Sequence, residues 1–521
     1  ALGAEAGFKA FKPQAVLLAV GFEGLPWPAM RPGTSTAKII DEPLSYLSGL
    51  ASGIRDAHGC PVIFQTVAEP PISLFGSFDR CVAGTMRRAV LELNEGIAEL
   101  ARTSGNLLLD IATLAARVGR DRWFDYPQWY ANKLPFALSN GPIYTDHVAR
   151  LIAALRGKSR KCLVLDLDNT VWGGVVGDDG VAGLKIGNGD PDGEAHLAIQ
   201  RHALALKDRG IILAVCSKNN FDTAVKPFRE HPDMLLKEGD IAVFQANWID
   251  KATNLEAIAK ALNIGIDALV LLDDNPAERA QVRAALPMVG VPELPGDPGQ
   301  FVWCLSAGGY FEAVSFSEED RLRAESYAAD AQRVSVMQQT RNLEDYLSQL
   351  GMSMSIRPFD DIGRQRIAQL INKSNQFNLT TRRYSELDVE ALGKNPEAVT
   401  MQVRLKDRFG DLGMIGVLIA MPEAGKGRDT WAIDTWLMSC RVLGRKVEEA
   451  MLAELVRVAR ERGVSTLVGR YLPTAKNGIV KEHYPKLGFT LVDGVIEGPS
   501  TWTLDAGAYA TPELPMTIEH A

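Results

Sequence analysis

The stretch from Lys161 to Gly174, KCLVLDLDNTVWGG, constrains the fold more than any other part of the chain. Cys162, Leu163, Val164, Leu165 and Asp166 read as a buried β-strand, nearly all apolar. Asp166 and Asp168 stand at its end, and Asn169, Thr170, Gly173 and Gly174 supply turn chemistry. Ligands of open α/β sheets gather beyond the carboxyl ends of the strands. Two carboxylates there can bind a hard cation through oxygen. One can also attack phosphorus while the other handles a proton. The plain alternative is an acidic surface turn, because Asp-x-Asp on its own is common.

Three further segments change that balance. In GIILAVCSKNN, an apolar strand from Ile211 to Val215 runs into a polar turn that places Ser217 at its carboxyl end, where a hydroxyl and free amides can hold a phosphoryl oxygen. WIDKATNL puts Lys251 at a helix start, where it can neutralise phosphate charge and hold the attacking carboxylate. In ALVLLDDNPAER a third apolar strand ends in Asp273 and Asp274, which can complete a magnesium site. The strand-borne signals are separated by helical stretches, the pattern of alternating β and α units in a parallel sheet.

This order of motifs resembles the haloacid dehalogenase (HAD) superfamily of phosphoryl-transfer enzymes. LDLDNTVWGGVVGDDG, CSKNN and LLDDNPAER are similar to the FkbH-like proteins of its subfamily IIIC. The resemblance continues through NQFNLTTRRY (Asn375 to Tyr384) and SCRVLGR (Ser439 to Arg445), and upstream DRWFDYPQWY (Asp121 to Tyr130) also looks like this family. It implies Asp166 as the nucleophile forming an aspartyl-phosphate and Asp168 as the group that protonates the leaving group and then activates water. Ser217 and Lys251 would hold the phosphoryl group. Mg²⁺ would sit between Asp166, the backbone carbonyl of Asp168 and one of Asp273 and Asp274, with Asp274 favoured by analogy to short-loop relatives.

Composition sets limits. A chain of 521 residues, 46% apolar and 23% charged, suits a globular protein of about three domains. No run reaches the roughly 18 to 20 apolar residues of a membrane span, and ALGAEAGFKAFKP lacks the basic-then-apolar order of a secretory signal. A net charge of −8 argues against bulk nucleic-acid affinity. Cys60, Cys81, Cys162, Cys216, Cys304 and Cys440 are scattered without CxxC spacing, so reduced thiols and a cytoplasmic setting are expected rather than disulfides or zinc.

The expected organisation is α/β throughout. Residues 1–157 read as an α/β domain, SGNH-like by the resemblance. Its strands fall at 14–22, 61–67 and 106–111, with a helix over 84–104. No Gly-Asp-Ser nucleophile is found there, and His147 stands near where such folds place a catalytic His, or else is a cap or surface residue. Residues 158–303 form the HAD-type core, a Rossmannoid parallel sheet, with the Gly-rich 173–190 insert expected as a loop or small hairpin. Residues 304–350 read as a helical linker, opened by a Ser317–Asp320 capping box. Residues 351–521 read as α+β, with strands at 414–421 and 430–437. Arg441-x-x-Gly444 resembles the pyrophosphate loop of GNAT-type acyltransferases, except that Lys446 stands where that loop has Gly or Ala. Arg441, Gly444, Arg445 and Lys446 are the candidate phosphopantetheine ligands.

The resemblance implies a Mg²⁺-dependent enzyme that dephosphorylates 1,3-bisphosphoglycerate and passes the glyceryl group to the phosphopantetheine thiol of an acyl carrier protein. The glyceryl group would rest first on Cys216 or Cys440. The alternative is a HAD phosphatase or acyltransferase acting on a sugar or another small acceptor without a carrier protein.

Overall fold

The computed structural model describes residues 6–316, 343–374, 376–439 and 442–520. The predicted capping box at Ser317 and Asp320, most of the predicted linker, and Cys440 and Arg441 lie outside the described residues. The chain divides into two compact units, Ala1–Ala154 and Leu155–Ala521.

The first unit contains a parallel sheet of β1 (Val16–Leu17), β2 (Val62–Gln65) and β3 (Leu107–Leu109) in the order β1-β2-β3. The first strand is much shorter than the apolar run at 14–22 suggests. Two long helices cover the sheet. Thr36–His58 buries Ile39, Pro43, Leu47, Ala51 and Ile54, one residue per turn along a single stripe. Met86–Thr103 does the same with Ala89, Val90, Leu93, Ile97 and Ala101, and Thr85 caps it by accepting from the Arg88 N–H. His147 sits within the helix Gly141–Leu155, its Nδ1 donating to the Ile143 carbonyl 2.9 Å away.

The second unit carries two sheets. In the first, β4 (Cys162–Leu165), β5 (Ile212–Ser217), β6 (Val243–Ala246) and β7 (Leu269–Leu272) run parallel in the order β6-β5-β4-β7. Alternate residues face opposite layers. Leu163, Leu165, Leu213 and Val215 pack with Leu197, Ala203 and Phe301, whereas Cys162, Val164, Ala214 and Cys216 pack with Leu255, Ile258 and Val282. Apolar layers on both faces explain why these strands read as unbroken apolar runs rather than alternating ones.

The insert after β4 departs from expectation. A helix forms at Val176–Gly183, broken at Gly180, whose φ of +66° is left-handed. Asp178 and Asp179 in its first turn favour the helix start, and Asp179 accepts from the Val175 N–H at 2.7 Å. Gly173 and Lys185 exchange both backbone hydrogen bonds, so the insert is also closed as a small hairpin.

The other sheet has eight strands in the order β13-β14-β12-β11-β10-β9-β8-β15. They are β8 (Met352–Arg357), β9 (Val399–Asp407), β10 (Gly410–Pro422), β11 (Thr430–Met438), β12 (Thr466–Tyr471), β13 (Thr490–Gly494), β14 (Ser500–Asp505) and β15 (Met516–His520). The β11–β12 and β8–β15 pairs are parallel and the rest antiparallel. β11 and β12 pair only from Thr430–Thr466 to Ala432–Val468. Beyond that point the chain itself bridges them. Leu379 donates to the Trp436 carbonyl, Phe377 accepts from Met438, and Leu379 accepts from Leu472.

Among the described residues, polar pairs and a close main-chain approach join the two parts of this unit. Lys476 Nζ lies 2.5 Å from Asp267 Oδ2, and Gln369 donates to Ser315 Oγ at 2.7 Å. At Gly157, φ is +67°, and a Cβ would stand 3.1 Å from the Lys373 Cα. Only glycine suits that place, for both backbone angle and space.

Candidate active site

Each parallel strand of the four-stranded sheet delivers chemistry at its carboxyl end. The register pairs Leu165 with Val215 on one side and with Leu272 on the other. The next step along β4 therefore sets Asp166 between Cys216 and Asp273. The Asp166 N–H donates to the Leu272 carbonyl at 2.9 Å, which fixes its backbone. Lys251 arrives from β6 through a short turn. Asp250 caps the helix Lys251–Ala261 by accepting from the Thr253 N–H, so Lys251 is its first residue.

Lys251 joins the cluster. Its Nζ is 2.5 Å from Asp273 Oδ2 and 3.0 Å from Asp166 Oδ2, and the side chain is almost wholly buried. Burial works against the ammonium, but the charges of Asp166 and Asp273 outweigh it and hold Lys251 protonated above its ordinary range. Burial pushes the Asp166 carboxyl up. Lys251 opposes that shift and Asp273 adds to it. Asp274 is raised by burial first and then by the charge of Asp273.

Asp166, Asp273 and Asp274 each offer a carboxylate oxygen, and these atoms lie within 4.8 Å of one another. The set is all oxygen, with no His or Cys, which fits a hard cation such as Mg²⁺. The two members of the acidic pair are not equally available. Asp273 Oδ1 accepts from the Asn275 N–H and its Oδ2 from Lys251, whereas Asp274 uses Oδ1 with Thr170.

Asp168 is aimed by three donors. Its Oδ1 accepts from Trp172 Nε1 at 2.9 Å and from the Val176 N–H at 3.0 Å, and its Oδ2 from Asn219 Nδ2 at 3.0 Å. Ser217 ends β5 and is 3% exposed, with its carbonyl held by the Asn247 N–H.

Sequence reading left several supporting groups unassigned. Thr170 Oγ1 donates to Asp274 Oδ1 at 3.2 Å and accepts from the Asp274 N–H at 3.1 Å. Buried Arg279 donates to the carbonyls of both Asp273 and Asp274. Buried His196 puts Nδ1 2.9 Å from the Thr170 carbonyl. Thr170 and Arg279 fall inside the motifs, but nothing in the motifs says which backbone atoms they reach.

Two other predicted groups take up different work. Cys216 packs in the apolar layer beneath the helix Lys251–Ala261, and burial pushes its thiol up to about 12. A neutral thiol without solvent access is a poor acyl acceptor. In the C-terminal loop, Gly444 has a φ of +74° and Lys446 of +59°, and the helix Val447–Glu461 follows. Arg445 is buried and paired with buried Asp407 at 3.2 Å. It serves the interior there rather than standing open to a phosphate.

No family model matches the chain, and no curated protein does either. Among solved structures, the chain is 35% identical to the N-terminal part of BF1531 from Bacteroides fragilis, described as containing a phosphatase domain complexed with Mg. That match covers 59% of this chain and 82% of the other, with a TM-score of 0.54. The GNAT domain of S. lividans PAT matches at 19% identity over 29% of this chain and 89% of its own, with a TM-score of 0.24. The ribosomal-protein-S18-alanine N-acetyltransferase of Escherichia coli matches at 15% over 29% and 94%, with a TM-score of 0.23. Likenesses of that strength say nothing of activity. The first match is of another order, and the protein belongs to the same HAD-like phosphatase-domain family as BF1531 of Bacteroides fragilis.

Proposed function

We propose that this protein is a Mg²⁺-dependent phosphatase and acyl transferase. In it, a thiol attacks the acyl carbon of an acyl phosphate, the acyl C–O bond breaks and inorganic phosphate leaves, and Asp166 takes a second phosphoryl group, the one held in ester linkage on the same acyl group. The observation that carries the phosphatase half is the cluster of buried Asp166, Lys251 and Asp273 with half-buried Asp274 beyond the ends of β4 and β7. A carboxylate of Asp166 attacks phosphorus and the bond to the leaving oxygen breaks. Asp168, aimed by Trp172, Val176 and Asn219, gives that oxygen a proton and then takes one from the water that hydrolyses the aspartyl-phosphate. Ser217 and Lys251 hold the phosphoryl oxygens. Asp166, Asp274 and the carbonyl of Asp168 would hold Mg²⁺, which when bound offsets the repulsion between anionic nucleophile and anionic phosphate. Asp273 instead keeps Lys251 in place.

The finer reading is glyceryl transfer from 1,3-bisphosphoglycerate to the phosphopantetheine thiol of an acyl carrier protein. It is supported by the FkbH-like motifs and by the pairing of a phosphatase sheet with a second mixed sheet in one unit. The domain division at about 157, 303 and 350 belongs to the same reading. The test is incubation with Mg²⁺, 1,3-bisphosphoglycerate and a phosphopantetheinylated carrier. A glyceryl mass increase on the carrier and phosphate release that Asp166→Asn abolishes are expected. Phosphate release without carrier modification would favour a small-molecule acceptor, and release that survives Asp166→Asn would overturn the nucleophile.

A further inference from the structure

The mouth of the aspartate cluster carries side chains that phosphate chemistry does not require. Trp248 is 70% exposed and Ile249 beside it 51%. Both lie in the turn between β6 and Lys251. The indole is not loose, since its Nε1–H donates to Asn220 Oδ1 at 3.0 Å. The preceding residue, Asn219, donates to Asp168. Asn247, on the other flank of the indole, donates its N–H to the Ser217 carbonyl. Trp248 thus stands one residue outward from groups that hold the reacting centre. Phe221 and Val175 are also exposed. Phe221 follows Asn220 and meets Phe244 edge-on, and Val175 precedes the residue whose N–H holds Asp168.

A phosphate is satisfied by charge and N–H donors; Ile249, Phe221 and Val175 offer neither in their side chains, and the one N–H of the Trp248 indole is already given to Asn220. An oriented, solvent-facing indole instead offers a flat apolar face that costs little further ordering when a ligand stacks on it. Recognition sites combine such apolar walls with a few convergent polar groups.

We propose that Trp248 is a substrate-positioning residue. It selects phosphate esters whose body, beyond the phosphate, is an extended planar or apolar arm over small polyol phosphates. The proposal rests on the phosphatase reading and deepens it. A phosphorylated acyl group borne on a pantetheine arm brings amide planes to lay against the rim, whereas a free triose phosphate brings none.

The test uses the full chain with Mg²⁺ on phenyl phosphate and on glycerol 3-phosphate. Wild type is compared with Trp248→Ala, Trp248→Phe and Asn220→Ala. In Trp248→Ala the selectivity for the aryl ester, as the ratio of the two kcat/KM values, falls about fivefold, the worth of one aromatic contact. The fall comes from a raised KM for the aryl ester, with its kcat within about twofold of wild type. Trp248→Phe keeps most of the selectivity, and Asn220→Ala, which releases the indole without removing it, loses part. An unchanged ratio in Trp248→Ala overturns the proposal, as does an equal loss on both esters, which marks a merely structural role. Hydrolysis that Asp166→Asn abolishes upholds the phosphatase reading whatever the ratio does. Hydrolysis absent from wild type, or surviving Asp166→Asn, sinks that reading and the role of Trp248 with it.

Discussion

Replacing Lys251 by Met tests the electrostatic centre of the site. The ammonium is 2.5 Å from Asp273 and 3.0 Å from Asp166, with 3% of the side chain exposed, and Asp273 is wholly buried. Met keeps the unbranched stem and removes the charge, leaving two carboxylates facing each other without a cation. At an effective dielectric of about 20, each of the two Lys251–carboxylate pairs lost contributes about 6 kcal/mol of attraction before the opposing desolvation. Loss of one partner from a buried pair costs about 3–5 kcal/mol net. For a cooperative region of about 150–250 residues, that corresponds to a melting shift of about 6–20 °C. Calorimetry without Mg²⁺ measures it, on the transition that added Mg²⁺ raises in wild type. Lys251→Met combined with Asp273→Asn removes one of the stranded charges and should recover about 1–3 kcal/mol over the sum of the single changes. A shift under about 3 °C in Lys251→Met, below 1–2 kcal/mol, or strict additivity in the double variant, would refute the reasoning.

Four further outcomes are expected. Thr170→Val keeps the shape of the side chain but removes both hydrogen bonds to Asp274, so Mg²⁺ affinity by calorimetric titration should weaken about tenfold or more; unchanged affinity contradicts the role given to Asp274. Gly469→Ala should destabilise the eight-stranded sheet by about 1–3 kcal/mol, because its Cβ would fall 2.2 Å from the Tyr484 ring. His483 is buried, and that burial holds its imidazole down, to about 3. Its folded pKa lies below the unfolded value of about 6.5, so its contribution is complete above pH 6.5 and is lost as pH falls toward 3, by about 1.4 kcal/mol per unit. Urea midpoints at pH 7.5 and 5.5 should therefore differ less in His483→Phe than in wild type, and equal differences would count against it. Iodoacetamide at pH 8 should label exposed Cys81 in the native protein but neither Cys162 nor Cys216, which are buried with thiols pushed up; peptide mapping decides.

The phosphatase sheet was legible because its strands are apolar on both faces and end in charged or hydroxyl residues. Asp166, Ser217, Lys251, Asp273 and Asp274 each mark such an end or the helix start after it. What could not be read was pairing. Lys251 and Asp273 are 22 residues apart and Thr170 and Asp274 are 104 apart, and only strand register brings them together. Arg445 shows the converse: its position beside a helix start suggested a ligand, but Asp407, 38 residues earlier, pairs with it in the interior. The helix at Val176–Gly183 escaped because glycine content argued against it, while Asp178 and Asp179 at its start favoured it locally. Trp248 was visible as a residue, but its exposure depends on which face of the turn the fold leaves open.

Gly157 has a consequence for anyone dissecting the molecule. Main chain there rests almost directly on main chain at Asn372 and Lys373, with no side chain between to absorb an adjustment. Such a joint behaves like a machined shoulder rather than a cushion. A bulkier residue would pry the phosphatase sheet away from its neighbour, and an expression boundary set anywhere between residues 157 and 373 would discard the surface that seats it.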